Sequence, residues 1–367
     1  MRCDEQEYRV FISYSHENKE LAREIEQALK AAKLVPMYDK NFALGHSFDQ
    51  QIRTFIAHAH VFLPIITEES SERGWVHQEI GYAMALNVPF LPVALGEWPG
   101  AMLQTLHAIQ LSEDPKERKG QIEQGLEREV FENLINRYRE QNYASYESAE
   151  FTDDRAMMMA RFSNEVLELR KYGCVRQRGG LSSFHIPDCV INHPLWKERY
   201  GRVNMSRFHL RCQREERRAL ERHARAAGCR LMIDPTMSYR RYGKHARIVR
   251  LETLVRFLKS MRSEKAEVAI NTRMGKEESV TIVGNWFAAE AVSSTIGQGY
   301  RQTIFTRHAP SMQHRIDLFD QEFKERLDDR DWQAQTSKDC ATEELTELIK
   351  DLKAKETQNA KTSAKRP

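Results

Sequence analysis

Residues 74–85, Gly-Trp-Val-His-Gln-Glu-Ile-Gly-Tyr-Ala-Met-Ala, lie between two apolar runs at 61–66 and 89–95. Hydrophobic side chains recur in this stretch at helical spacing, and two serines precede it, so it predicts a helix between two buried strands. Trp75 and Glu79 are four residues apart, which places them on the same face of that helix. An indole and a carboxylate on one face make this helix the centre of the candidate site.

The alternation of strand and helix extends toward the N-terminus. Residues 8–15 form an apolar strand pattern that ends in hydroxyl side chains, residues 34–38 a weaker one, and residues 61–66 a continuous apolar run typical of a strand buried on both faces. Amphipathic helices are predicted between these strands, and a last helix at 122–138. This order predicts an α/β fold with a parallel sheet and helices on both faces.

Parallel sheets of this kind bind ligands at the carboxyl ends of their strands. Ser13 and Tyr14 follow the first strand, a loop around Phe42 follows the second, and the helix that carries Glu79 follows the third. We therefore expect these residues to lie at one edge of the sheet.

Length and composition predict more than one domain. A chain of 367 residues with 41% hydrophobic residues exceeds the usual size of one domain. We place the boundaries at 1–142 for the first domain, 143–330 for a second, and 331–367 for a tail with one helix at 342–352 and a Lys-rich disordered end.

Several classes of protein are disfavoured by the same sequence. No run of eighteen apolar residues is present, and the polar start lacks the apolar segment of a signal peptide, so we expect a cytoplasmic protein that does not bind membranes. The six cysteines and the histidines lack metal-ligand spacing. We therefore predict no metal site.

Three motifs resemble Toll/interleukin-1 receptor (TIR) domains. Residues 11–16, Phe-Ile-Ser-Tyr-Ser-His, resemble the family's first conserved box, Asp39–Ser47 falls where the family carries its BB loop, and Trp75 to Glu79 matches the WxxxE pattern of NAD-cleaving members. The resemblance covers about residues 6–140 and implies a flavodoxin-like parallel sheet.

That resemblance implies an activity and a set of site residues. NAD+ would be the substrate, with no separate cofactor, and Glu79 the catalytic carboxylate. Trp75 and Phe42 could stack on a flat ring, and backbone amides near Ser13 and Tyr14 could bind phosphate oxygens. The family also implies self-association through the TIR domain and its BB loop.

The chemistry is compatible with a single carboxylate. Nicotinamide leaves as a neutral ring, so no general acid is needed, whereas glycosidases use two carboxylates because their leaving group is poor. Glu79 would hydrogen-bond the ribose hydroxyls and stabilise the developing positive charge. By spacing alone, however, a lone glutamate on a helix is more often a solvated surface charge.

The second half of the chain predicts another α/β domain, with a mixed sheet. Helical patterns occur at 207–227, 246–261 and 311–327, and strand patterns at 229–235, 267–270, 279–284 and 300–306. The region faintly resembles phospholipase-D-like regions but lacks their His-x-Lys pattern. We therefore expect a sensor or partner-binding domain.

Charge is unevenly distributed between the two halves. Residues 1–142 carry 15 Lys and Arg against 22 Asp and Glu, whereas residues 196–256 carry 17 against 6. The basic region could bind a nucleotide signal or nucleic acid, or it could be a solvated helix face that docks against the acidic first domain.

Three functions remain open at the level of sequence. The first is an NAD+ hydrolase of the TIR type, acting as an anti-phage or stress effector activated by assembly through its C-terminal domain. The others are a non-catalytic TIR adaptor and a nucleic-acid-binding protein with a TIR assembly module. Whether the product is linear or cyclised ADP-ribose is not determined by the spacing.

Overall fold

The computed structural model describes residues 8–38, 48–67, 74–96, 108–140, 147–150, 152–188, 207–236, 244–270, 278–293, 300–328 and 337–363. The chain divides into two compact units. The first comprises Asp4–Tyr146 with Thr306–Gln313, and the second Glu147–Phe305 with His314–Pro367.

The first unit is a five-stranded parallel sheet with the order β2-β1-β3-β4-β5. Its strands are β1 Arg9–Ser13, β2 Val35–Met37, β3 Val61–Ile66, β4 Val93–Leu95 and β5 Ile109–Leu111. Its helices are α1 Lys19–Ala31, α2 Phe48–His58, α3 Gly74–Ala85, α4 Pro115–Gly125 and α5 Arg128–Glu140. The predicted parallel α/β sheet is therefore confirmed.

Burial of apolar side chains holds these elements together. Strands β1 and β3 are buried along their whole length, as the continuous apolar pattern of β3 predicts. Helix α1 packs its apolar stripe, with Leu21, Ile25 and Leu29, into the core cluster that also contains side chains of both strands.

Three details of the first unit differ from the sequence-based prediction. Strand β5, with only three residues, was not predicted. The strand predicted at 89–95 is regular only in β4, because two prolines lack the N–H that a ladder needs. The helix predicted at 122–138 is interrupted after Gly125, where an added Cβ would lie 2.9 Å from the Ile109 side chain.

The second unit contains a seven-stranded mixed sheet with the order β6-β12-β11-β10-β7-β8-β9. Strands β7, β8 and β9 are parallel, whereas β10 pairs antiparallel with both β7 and β11. The strands are β6 Glu147–Ala149, β7 Val175–Gly179, β8 Cys229–Ile233, β9 Ala266–Ile270, β10 Glu278–Val283, β11 Phe287–Ser293 and β12 Tyr300–Thr306. The predicted mixed sheet is confirmed.

Among the residues that the structure describes, five helices accompany this sheet. They are α6 Thr152–Glu168, α7 Arg207–Ala227, α8 Lys244–Ser260, α9 Ala309–Asp328, whose residues up to Gln313 belong to the first unit, and α10 Ser337–Ser363. Helix α10 contains the predicted helix at 342–352 and extends it at both ends, and it packs against α8 and β9 with its apolar stripe, including Leu345 and Ile349, buried. Among the helices that the structure describes, none is both long and apolar enough to span a membrane.

Candidate active site

The site is built where β1 ends and α3 begins. Ser13 is the last residue of β1 and pairs in register with Pro64 of β3, so it lies at the carboxyl edge of the sheet. Its hydroxyl donates a hydrogen bond of 2.5 Å to Oε2 of Glu79, in the second turn of α3. The structure thus brings together two of the residues that the sequence singled out.

Both members of this pair are buried. Ser13 is 6% exposed and Glu79 is 7% exposed. Burial penalises the ionised carboxylate and raises the pKa of Glu79 to about 7, although the hydrogen bond from Ser13 acts in the opposite direction. Near neutral pH this side chain is therefore present in both its protonated and its ionised form.

No cation neutralises Glu79 within the part of the chain that the structure describes. Its hydrogen bond to Ser13 is the one polar contact found for its carboxyl group there, and no lysine, arginine or histidine lies within ion-pair distance. An ionised carboxylate in such surroundings attracts a cationic partner strongly, because the low dielectric weakens screening.

A second group of polar side chains lies at the same edge. The side-chain amide of Asn18 donates to the hydroxyl of Ser15 at 2.8 Å and lies 3.5 Å from the hydroxyl of Thr67, which follows β3. Ser15 and Thr67 are buried. Sequence reasoning missed Asn18 and Thr67, although their positions just beyond β1 and β3 are the signal that could have indicated them.

The other predicted site residues are placed less fully. Tyr14 is half-buried and its side chain packs against the core cluster of the first unit. Trp75 lies in the first turn of α3, one turn before Glu79 along the backbone, but its side chain is outside the described residues. Phe42 and the loop Asp39–Ser47 are also outside them.

Two histidines of the first unit, His58 and His60, contact Arg9. Nδ1 of His60 accepts a hydrogen bond of 2.9 Å from the backbone N–H of Arg9, and the carbonyl oxygen of His58 accepts one of 2.7 Å from the Arg9 side chain. Among the described residues there is no group of three or more His, Cys, Asp or Glu side chains that could hold a metal ion.

Comparison with known proteins identifies the first unit. The TIR domain family matches residues 10–126, so this chain contains a TIR domain, in agreement with the motifs and with the parallel sheet. No curated protein matches the chain.

Two solved structures are similar to parts of the chain. A metazoan TIR-STING receptor from C. gigas in complex with 2',3'-cGAMP is 22% identical, with a TM-score of 0.28, over 32% of this chain and 38% of that chain. A second structure of a metazoan TIR-STING receptor from C. gigas is 13% identical, with a TM-score of 0.24, over 73% of this chain and 89% of that one.

Proposed function

We propose that the TIR domain is an NAD+ hydrolase in which Glu79 is the catalytic carboxylate. The observation that carries the proposal is the buried Ser13–Glu79 pair at the carboxyl edge of the sheet, where no cation of the described chain balances the carboxylate. The WxxxE spacing of Trp75 and Glu79 supports the same assignment.

The charge of the substrate suits this site. The nicotinamide ring of NAD+ is cationic while it is bonded to ribose, so its approach favours the ionised form of Glu79. A pKa near 7 in the free protein means that this ionisation needs little free energy at neutral pH. The carboxylate is then present when positive charge develops on the sugar.

The reaction breaks one bond and forms another. The bond between C1′ of ribose and the nicotinamide nitrogen breaks, and its electron pair stays on that nitrogen, which makes the ring neutral. The ribosyl cation is stabilised by the Glu79 carboxylate. Water then adds to C1′ and loses a proton to the carboxylate, which gives ADP-ribose; attack by the adenine instead would give a cyclised product.

Activation by assembly completes the proposal. Self-association of TIR domains through the loop Asp39–Ser47 would bring two incomplete sites together, so the free chain would have low activity. The second unit would supply the signal for assembly, and NAD+ consumption would make the protein an anti-phage or stress effector.

The decisive test measures nicotinamide release by the purified full chain at high concentration. We expect Glu79→Gln to lower NAD+ cleavage by about 100-fold or more, because the electrostatic stabilisation of the transition state is lost. Glu123→Gln is the matched control, since Glu123 is an exposed glutamate of the same domain, 64% exposed on α4. It should retain the wild-type rate.

Two results would contradict the proposal. Cleavage that persists in a folded Glu79→Gln variant would remove this carboxylate from the mechanism. Absence of cleavage by the wild type, even when crowded or supplied with nucleotides and nucleic acids, would favour the non-catalytic adaptor.

A further inference from the structure

A groove of about 420 Å³ lies between α8 and α10 in the second unit. Helix α10 runs along α8, and eight side chains of the two helices line the space between them. Val255 and Ile349, both largely buried, form an apolar floor. The volume is within the range of sites for small ligands.

The two helices are antiparallel along this groove. The amine of Lys338, at the start of α10, donates to the carbonyl oxygen of Met261, just beyond the end of α8. Further along α10, Lys353 forms an ion pair of 2.7 Å with Glu252, nearer the start of α8. This arrangement brings basic residues from both helices to the same space.

Four cations line the groove against one carboxylate. Arg256 and Lys259 come from α8, and Lys350 and Lys353 from α10. Glu252 is the single acidic residue of the lining, and it is already bonded to Lys353. Lys350 also contacts an acidic residue, Glu347, at 2.6 Å, but both of these side chains are more than 60% exposed, so that pair contributes little.

Arg256 and Lys259 are the most informative members of the lining. They are exposed, three residues apart on one helix face, and no ion pair or hydrogen bond of their side chains is found within the described chain. Like charges at this spacing repel each other, so an anion held between them would remove an unfavourable interaction. An arginine fork can also bind two oxygens of one phosphate.

We propose that this groove binds a small ligand that carries two or more phosphate groups. The phosphates contact Arg256 and Lys259 on one side and Lys350 and Lys353 on the other, and the apolar floor accommodates a flat group of the same ligand. The site lies largely outside the basic region 196–256, because of its four cations only Arg256 falls within that region. The proposal does not depend on the chemistry of the TIR domain.

A general basic surface is the alternative that the test must exclude. Helix α7 has its own exposed arginines, Arg218 and Arg222, which also have no ion pair in the described chain. They are four residues apart and do not line the groove. The variant R218Q/R222Q therefore removes the same charge as R256Q/K259Q from the same unit, and it is the matched control.

The experiment is calorimetric titration of the full chain with inorganic tripolyphosphate and with ATP. We expect both to bind, ATP more tightly because its base contacts the floor. R256Q/K259Q should weaken the binding of both by about tenfold or more, which is the loss of one to two charge-assisted contacts. R218Q/R222Q should change it by less than about twofold, since those arginines lie elsewhere.

Three outcomes would overturn the proposal. Equal weakening by the two double variants would indicate non-specific attraction to a basic surface. No binding of either polyphosphate at millimolar concentration would leave the groove without its ligand. Binding of a DNA duplex that is much tighter than that of ATP, and equally sensitive to both variants, would assign these cations to a phosphate backbone. All four substituted residues are exposed, so both variants should fold.

Discussion

Each unit of this protein buries a glutamate that accepts a hydrogen bond from a serine, and the two pairs differ in one cation. In the TIR domain, Ser13 donates to Glu79 at 2.5 Å. In the second unit, Ser183 donates to Glu216 at 2.6 Å, and the guanidinium of Arg155 contacts both oxygens of that carboxylate at 3.2 and 3.3 Å.

The second pair, Ser183 and Glu216, belongs to a hydrogen-bond network inside the second unit. The amide of Gln177 donates to the hydroxyl of Ser183, and its oxygen accepts from the Ser183 backbone N–H. Arg155 balances the charge of Glu216. A buried carboxylate that is hydrogen-bonded and paired with a cation leaves no unbalanced charge for a ligand, so Glu216 has a structural role.

Asp320 illustrates the same principle elsewhere in the second unit. Burial alone would raise its pKa, but hydrogen bonds and charges from Arg176 and Arg230 outweigh burial and lower the pKa. Glu79, with no such partner among the described residues, has a raised pKa instead. The difference suggests that a buried carboxylate without a cation is the one available to a cationic substrate.

The largest expected effect is a loss of stability when Glu216, the carboxylate paired with Arg155, is replaced. Glu216→Gln removes the anionic member of the buried ion pair with Arg155 and should lower the free energy of unfolding of the second unit by about 4 kcal/mol. Hydrogen exchange of β7 and β10 amides measures this loss within that unit. A variant as stable as the wild type would show that this ion pair contributes little to stability, and the comparison would fail.

The same substitution at Glu79 should have the opposite sign. The folded-state pKa is about 7 and the ordinary value is 4.5, so the folded protein binds the proton more tightly, and stability falls as the pH rises from about 4.5 to 7. Glu79→Gln does not titrate. It should raise the free energy of unfolding by about 3 kcal/mol at pH 8 and have little effect below pH 4.5.

This gain in the free energy of unfolding can be measured as the hydrogen-exchange protection of β1 and β3 amides at pH 4, 6 and 8. Glu123→Gln provides the control for a charge removed from an exposed site of the same domain. If Glu79→Gln destabilised the domain at pH 8, the ionised carboxylate would have a favourable partner that the described residues do not include.

Much of the fold could be predicted from pattern alone. Helix α7 was predicted with the bounds that the structure has, because 21 residues of strong helical periodicity leave little ambiguity. Strand β7 was not predicted, because Arg176 and Gln177 are buried polar residues in its centre. They are stabilised by Asp320 and Ser183, and Asp320 lies 144 residues along the chain from Arg176.

The candidate site was predictable to a similar degree. The topology of a parallel sheet places Ser13 near the helix of Glu79, and the structure confirms that they are neighbours. The burial that raises the pKa of Glu79 depends on how β1, β3 and α3 pack together. A local sequence pattern does not contain that information. The same holds for the contact of Asn18 with Thr67, 49 residues apart.

The smallest expected effect is a change in the rate of NAD+ cleavage that distinguishes Ser13 from Ser183. Ser13→Ala removes the hydrogen bond that lowers the pKa of Glu79, so this pKa should rise above about 7. If the proposed activity needs ionised Glu79, cleavage of NAD+ at pH 7 should fall about fivefold and recover at pH 9. Ser183→Ala removes the same kind of hydrogen bond from Glu216 and should leave the pH profile of kcat/KM unchanged.

A pH profile distinguishes this effect from a loss of packing. A cavity left by the serine hydroxyl would lower the rate by a similar factor at every pH, whereas a change in the ionisation of Glu79 moves the midpoint of the profile upward and leaves its upper limit in place. An unmoved midpoint in Ser13→Ala would mean that the profile reports another group. The contrast between the two serine–glutamate pairs would then concern stability alone. The assignment of Glu79 to catalysis would depend only on the loss of NAD+ cleavage in Glu79→Gln.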